Sequence, residues 1–209
     1  MTAAGTGGPA GNYYPKYATR NPVARHLVDG FLAAFADLAE HTRARRVLEV
    51  GCGEGHLCGL LAKPGRLVRG VDISPELIAD ARRRAGAGVE LRVASVYDLA
   101  PDRDAADLVV CCEVLEHLAD PDRALAVLTG LARPWLLVSV PREPLWRALN
   151  LLRGKYLGAL GNTPGHVQHW SRRAFLAMLA RHVDIVAVRT PLPWTMALCR
   201  GRSAGGAHA

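Results

Sequence analysis

The hydrophobic positions of the chain change period several times, and the changes mark out its elements. Between Pro22 and Ala39, Val23, Leu27, Phe31, Phe35 and Leu38 recur at three- and four-residue spacing, the apolar stripe of an amphipathic helix. Short, almost continuously apolar runs then alternate with helical stretches. Residues 46–50, 67–71, 89–94, 108–112 and 135–140 predict five strands, with helices over about 55–62, 75–84 and 121–131 between them. Ser74 is suited to cap the second of these helices, with Pro75 at its first position. Strands without a polar face, separated by helices, imply a parallel sheet covered on both sides, and ligands of such sheets sit at the carboxyl ends of the strands. After Pro141 the rhythm breaks. Residues 142–165 form an insertion with helical spacing at Leu145, Leu149, Leu152 and Leu157. Ser171 then opens a helix to about Ala180, and 183–189 and 195–200 predict two closing strands. The expected fold is α/β: a doubly wound, mostly parallel seven-stranded sheet with helices on both faces.

A chain of 209 residues fits one domain, expected over 13–200, with mobile tails at 1–12 and 201–209. At 50% hydrophobic and 22% charged residues it lies far from the disordered regime. It has no apolar run of the ~18 residues a membrane-spanning helix needs, and MTAAGTGGPAGNYYPKY lacks the basic start and apolar stretch of a secretory signal, so a cytoplasmic location is expected. Cys52, Cys58, Cys111, Cys112 and Cys199 contain no CxxC pair, which argues against a disulfide framework or structural zinc. The net charge of +7 is unevenly placed: Met1–Pro141 holds 16 cations against 17 carboxylates, whereas Arg142–Ala209 holds 10 against 2. Such an excess suits an anionic substrate or surface, or reflects an arginine-rich composition, since only three of the 26 cations are lysines.

The first predicted strand runs into VLEVGCGEGHL, where Gly51, Gly53 and Gly55 follow Glu49 and precede a helix. Glycines let a backbone turn sharply and approach a ligand, and a helix start offers amide donors. The spacing is GxGxG, one residue short of the dinucleotide fingerprint. At the tip of the second strand, in GVDIS, Asp72 is placed to accept hydrogen bonds from both hydroxyls of a ribose. Together these motifs resemble the class I S-adenosylmethionine-dependent methyltransferases, over roughly residues 15–200. The resemblance implies a Rossmann-like fold with S-adenosyl-L-methionine as cofactor. It implies that Glu49 helps hold the methionine amino group, that the loop Gly51–Cys52–Gly53 with Gly55 lies against the cofactor, that Asp72 binds the ribose, and that Ile73 lies beside the adenine. The third-strand tip, RVASVYDLA, has Ser95 where the family often has Asp, so the adenine contact falls to the Ser95 side chain and the Val96 backbone.

The fourth strand leads into CCEVLEHLADP. One helical turn would bring Glu113, Glu116 and His117 together, and two carboxylates with an imidazole suit Mg²⁺ or Mn²⁺ better than tetrahedral zinc. ExxEH resembles the same element of ubiquinone-biosynthesis O-methyltransferases and of small-RNA 3′-terminal 2′-O-methyltransferases, where it is associated with a divalent metal. The RNA enzymes add a later histidine, a place His166 fills here, with His169 as the alternative. The resemblance thus implies Glu113, His117 and His166 as catalytic residues and Glu113 also at the cofactor. Without a metal, His117 would be a base or orienting group, or the motif would be purely structural. Tyr13, Tyr14 and Tyr17 precede the first helix, where relatives carry a lid. The 142–165 insertion, with Trp146, Tyr156, Arg147, Arg153 and Lys155 among its leucines, has the composition of an interfacial helix able to touch an anionic membrane, or of a cap on the domain.

The resulting reading is O-methylation of a small-molecule acceptor: a quinol, a lipid-like compound or a secondary metabolite. Two alternatives compete with it. The first is an RNA terminal 2′-O-methyltransferase, against which stand 6% aromatics and no recognisable RNA-binding module. The second is a non-catalytic S-adenosylmethionine-binding protein, against which stand the intact glycine loop and Asp72.

Overall fold

The computed structural model describes residues 17, 19–84, 86 and 88–202. The tails, apart from Gly201 and Arg202, and the lid candidates Tyr13 and Tyr14 lie outside them. Helix α1 (Pro22–His41) leads into β1 (Arg46–Val50), α2 (His56–Leu61), β2 (Leu67–Asp72), α3 (Pro75–Arg84) and β3 (Val89–Val93). A 3-10 turn (Val96–Asp98) and the short α4 (Pro101–Asp104) precede β4 (Ala106–Cys112). A second 3-10 turn (Leu115–His117), α5 (Pro121–Leu131), β5 (Ala132–Pro141), α6 (Leu145–Leu152), a third 3-10 turn (Leu157–Ala159), α7 (Arg172–Leu179), β6 (Val183–Arg189) and β7 (Trp194–Gly201) follow among the described residues.

The seven strands form one sheet in the order β3-β2-β1-β4-β5-β7-β6. β1 to β5 pair in parallel, while β7 runs antiparallel between β5 and β6. The order reverses direction between β1 and β4, which opens a crevice above their carboxyl ends. Side chains alternate across the strands, so one apolar run fills two cores. Leu108 and Val110 of β4 pack with Phe31 and Phe35 of α1 and Leu57 of α2; Val109 and Cys111 pack with Leu125 and Leu128 of α5 and Phe175 of α7. The five cysteines are buried and unbridged.

Strand β5 begins at Ala132, three residues before the apolar run that announces it. Its register against β4 slips between Ala106 and Leu108, opposite the segment holding Pro134, a place where the missing N–H is tolerated. The insertion also differs from a single long helix. Only Leu145–Leu152 is regular α-helix, and the chain folds back through a 3-10 turn (Leu157–Ala159) onto the buried Asn150. Asn150 Nδ2 donates to the Gly161 carbonyl (2.9 Å) and to Thr163 Oγ1 (3.2 Å), holding the two limbs together.

Candidate active site

Beyond β1 the chain turns at Gly51, where φ is +76° and an added Cβ would stand 2.2 Å from Val114 Cγ2, so backbone and packing both require glycine. The amides of Gly51 and Cys52 donate to the Val71 carbonyl (2.8 and 3.0 Å), tying the loop to the tip of β2. The Gly53 amide donates to Asp72 Oδ2 (2.8 Å), and the Ser74 amide to Asp72 Oδ1 (2.9 Å). Asp72 therefore links the glycine loop to the start of α3, and each of its oxygens keeps lone-pair capacity for a further donor. Ser74 Oγ in turn accepts from the Leu77 amide (3.2 Å). Gly55 opens α2 against Ala81.

Asp72 lines a cavity of ≈ 1230 Å³ together with Glu49, Gly51–Gly53, Ile73, Ser95 and Val96. Glu49 and Val96 are buried, whereas Ile73 is 60% exposed, an apolar surface left open at the cavity wall. Ser95 Oγ accepts from the Tyr97 amide (3.3 Å), which caps the 3-10 turn beneath it. The Tyr17 ring stacks on His56 (3.9 Å between centroids, 11°) at the cavity edge. Burial, and then the neighbouring Glu49, Cys112 and Glu113, push its phenol well above the ordinary range, so it stays neutral. S-adenosylmethionine fits this half of the cavity: an added Cβ at Gly53 would meet no protein atom within 4 Å, so bare backbone borders open space beside a carboxylate that can take two hydroxyls.

The segment after β4 departs from the expected helical turn. Glu113 has φ +60°, its amide donates to the Ser139 carbonyl (3.0 Å), and it lines the same cavity as Glu116 and His117. Its Oε1 accepts from Ser139 Oγ (3.3 Å) and its Oε2 from Trp194 Nε1 (2.5 Å). Ser139 carries no signature in the sequence, and the only signal for Trp194 is a tryptophan opening β7 in PLPWT. Among the described residues, Glu116, His117 and His166 form a cluster able to hold a metal, with ligand atoms all within 4.8 Å of one another. Glu113 lies outside that cluster, whereas the other three expected ligands lie within it. Two imidazoles and one carboxylate match borderline ions such as Mn²⁺, Fe²⁺ or Zn²⁺ better than the oxygen shell of Mg²⁺.

His166 reaches this position because the Glu116 carbonyl accepts both the Val167 amide (2.9 Å) and the Gln168 amide (3.0 Å), while Gln168 Nε2 donates to the Leu118 carbonyl (3.1 Å). The rings of His117 and His166 meet edge-on at 4.8 Å. Burial, reinforced by His117 and His169, pushes the His166 imidazole down to about 3, so it is neutral. His117 Nδ1 lies 3.0 Å from the Gly165 carbonyl, an oxygen that can only accept; Nδ1 therefore carries the proton and Nε2 is the basic nitrogen. His169 turns outward to Asn162 Oδ1 (2.7 Å). Trp146 closes the wall, donating to Thr163 Oγ1 (2.9 Å) with its ring 5.7 Å from that of Trp194; neither Trp146's bond nor Thr163 had a signature in the sequence.

Fold, glycine loop and acidic β2 tip together are those of the class I S-adenosylmethionine-dependent methyltransferases, which the chain resembles. A family described as "Methyltransferase domain" matches residues 48–135. Within the class, the chain resembles the ubiquinone biosynthesis O-methyltransferases. It is 37% identical to the enzyme of Xanthomonas euvesicatoria pv. vesicatoria over 122 residues, 55% of this chain and 51% of that protein. It is 32% identical to the one of Xanthomonas oryzae pv. oryzae over 163 residues, 74% of this chain and 66% of that protein. The chain thus spans about half the length of the former. Among solved structures, magnesium protoporphyrin IX methyltransferase from Synechocystis PCC 6803 with bound SAH shares the fold at TM-score 0.67 and 21% identity, covering 88% of this chain and 89% of that one. The methyltransferase domain of bacterial CtHen1 shares it at TM-score 0.63 and 20% identity, covering 83% and 99%.

Proposed function

We propose that this protein methylates an oxygen of a small-molecule acceptor, of the quinol or lipid-like kind that the names of its curated relatives suggest. The observation that carries the reading is that one cavity is lined both by Asp72 and the glycine loop and by His117 and His166. S-adenosylmethionine, when bound, supplies a methyl group on a sulfonium sulfur. The protein's own tasks are to align the acceptor, exclude water and take a proton. Trp146, Leu149 and Trp194 give the acceptor side an apolar wall. His117 Nε2 accepts the hydroxyl proton while Nδ1–H stays on the Gly165 carbonyl. The buried Glu116 carboxylate beside it favours the resulting imidazolium.

The test is a methyl-transfer screen over catechols, quinols, glycosides and RNA 3′ ends, with His117→Gln as control. Loss of turnover by roughly 10²-fold or more, with S-adenosylhomocysteine still bound, is the expected result for a general base. Undiminished turnover overturns that role, and transfer confined to RNA ends overturns the acceptor class.

The Glu116–His117–His166 cluster favours a second reading, in which these side chains hold a divalent ion that would bind acceptor oxygens and lower a hydroxyl's pKa. Activity unchanged in excess EDTA, with no metal in the purified protein, removes it. The exposed Leu152, Leu157 and Leu160 support contact between the insertion and a membrane surface on the cytoplasmic side; absence of co-sedimentation with anionic vesicles refutes it. The Tyr17–His56 stack supports a closing role for the segment before α1, to be tested by proteolysis near Tyr17 with and without S-adenosylhomocysteine.

A further inference from the structure

The basic excess of the last third divides into two groups once the chain is folded. Downstream of the insertion, Arg181 pairs with Asp122 (2.6 Å), Arg189 with Asp37 (2.8 Å) and Arg202 with Asp184 (3.2 Å), while Arg200 lies over the Trp135 ring. Those four are engaged within the fold, whereas Arg172 and Arg173 of α7 have no carboxylate partner among the described residues but lie outside the cavity lining. Arg153 is different: it lines the cavity, no carboxylate among the described residues pairs with it, and its hydrogen-bond partner is an amide, Asn150 Oδ1 at 2.6 Å. Asn150 is 1% exposed, and its Nδ2 is committed to Gly161 and Thr163, which fixes the carbonyl end of the amide toward the guanidinium. The backbone carbonyl of Asn150 also accepts the amides of Arg153 (3.2 Å) and Lys155 (2.8 Å), folding the turn so that both cations border the same cavity. The cavity's carboxylates, by contrast, come from the ends of β1, β2 and β4 and from the turns and helix starts that follow them.

A neutral partner orients a guanidinium without cancelling its charge, and a planar fork of donors held this way matches an oxyanion. We infer that Arg153, aided by Lys155, is an anion subsite at the acceptor end of the cavity, so that the acceptor carries a carboxylate or phosphate apart from the oxygen that is methylated. The inference rests on the methyl transfer proposed above, and its test is chosen to be read without turnover.

The probes are 3,4-dihydroxybenzoate, its methyl ester and a catechol bearing a phosphate monoester, titrated into the S-adenosylhomocysteine-loaded protein. The acid or the phosphate should bind at least tenfold more tightly than the ester, and whichever wins identifies the anion. Arg153→Gln should bring the acid-to-ester ratio close to one, while Arg172→Gln, a change on α7 outside the cavity lining, should preserve it. Arg153→Lys should recover part of the preference, which a merely structural arginine would not do. Equal binding of acid, phosphate and ester, or a ratio unmoved by Arg153→Gln, overturns the subsite. Loss of anionic-vesicle binding in Arg153→Gln with an unmoved ratio also overturns it and assigns the cation to a lipid surface. Failure of every probe to be methylated, with the ratio still dependent on Arg153, would count against the proposed transfer and leave the subsite standing.

Discussion

Replacing Gly51 with alanine perturbs the cofactor loop in two separable ways. The left-handed backbone, at φ +76°, costs an L-residue about 1–2 kcal/mol. The new Cβ would lie 2.2 Å from Val114 Cγ2, an overlap that must be relieved by displacement at a typical overpacking cost of about 1–3 kcal/mol. The single variant should therefore lose roughly 2–5 kcal/mol, or about 4–20 °C in melting temperature for a domain of this size. Val114→Ala removes Cγ2 and leaves only the Val114 Cβ, 3.4 Å from the new atom, which is ordinary contact. On its own it should cost about 1 kcal/mol, because the side chain is only partly buried. The double variant should then be more stable than the sum of the singles predicts by about 1–3 kcal/mol, the overpacking share, with the backbone share unrescued. Urea denaturation of the four proteins measures that coupling energy, and S-adenosylhomocysteine titration shows whether loop displacement reaches the cofactor. Additive effects, within about 0.5 kcal/mol, would mean that Val114 does not wedge the turn and would refute the packing argument.

Asp72→Ala should weaken S-adenosylhomocysteine binding by tenfold or more, since a hydrogen bond to a charged group contributes about 1.5–3 kcal/mol; unchanged affinity in calorimetry would refute the placement of the ribose. Asp104 is buried between Arg92 and Arg103, and although burial raises its pKa, hydrogen bonds from Arg103 and the Ala100 amide and the charges of Arg92 and Arg103 hold it below the usual range. Its contribution is present above the unfolded value near ~4 and is lost as pH falls through the lower folded value, so acid denaturation below about pH 4 should be steeper in the wild type than in Asp104→Asn. Parallel stability curves for the two proteins would contradict this. Trp194→Phe removes the N–H given to Glu113 Oε2 and should destabilise the fold by about 1–3 kcal/mol beyond the lost ring area, most of which should vanish in a Glu113→Ala background, where no acceptor is left, as a coupled term; additive losses in a double-variant cycle would show that the bond carries little.

The parts of the fold that sequence made legible are those where a single period governs a whole element. Leu108–Cys112 reads as a strand buried on both faces because both core clusters draw on it alternately. Gly51 and Asp72 were legible because a turn that requires glycine and a carboxylate at a strand tip are local demands, each met by one residue type. The backbone turn at Glu113 was not legible. Its spacing to Glu116 and His117 fits a helical turn, but its positive φ is held by Ser139 and Trp194, partners 26 and 81 residues away. The start of β5 was hidden by Pro134, which looks like a strand breaker and sits at a register slip where no donor is needed. The fold-back of the insertion onto Asn150 was equally invisible, because an asparagine on a leucine-rich helix gives no hint of which distant carbonyl and hydroxyl it will bind.

The paired amides of Val167 and Gln168 on the Glu116 carbonyl have an architectural consequence. They rivet the far end of the insertion to the turn after β4, while its near end continues directly from β5. The stretch between is thus clamped at both edges, so a change of length near the 3-10 turn at Leu157–Ala159 would be taken up between two fixed points.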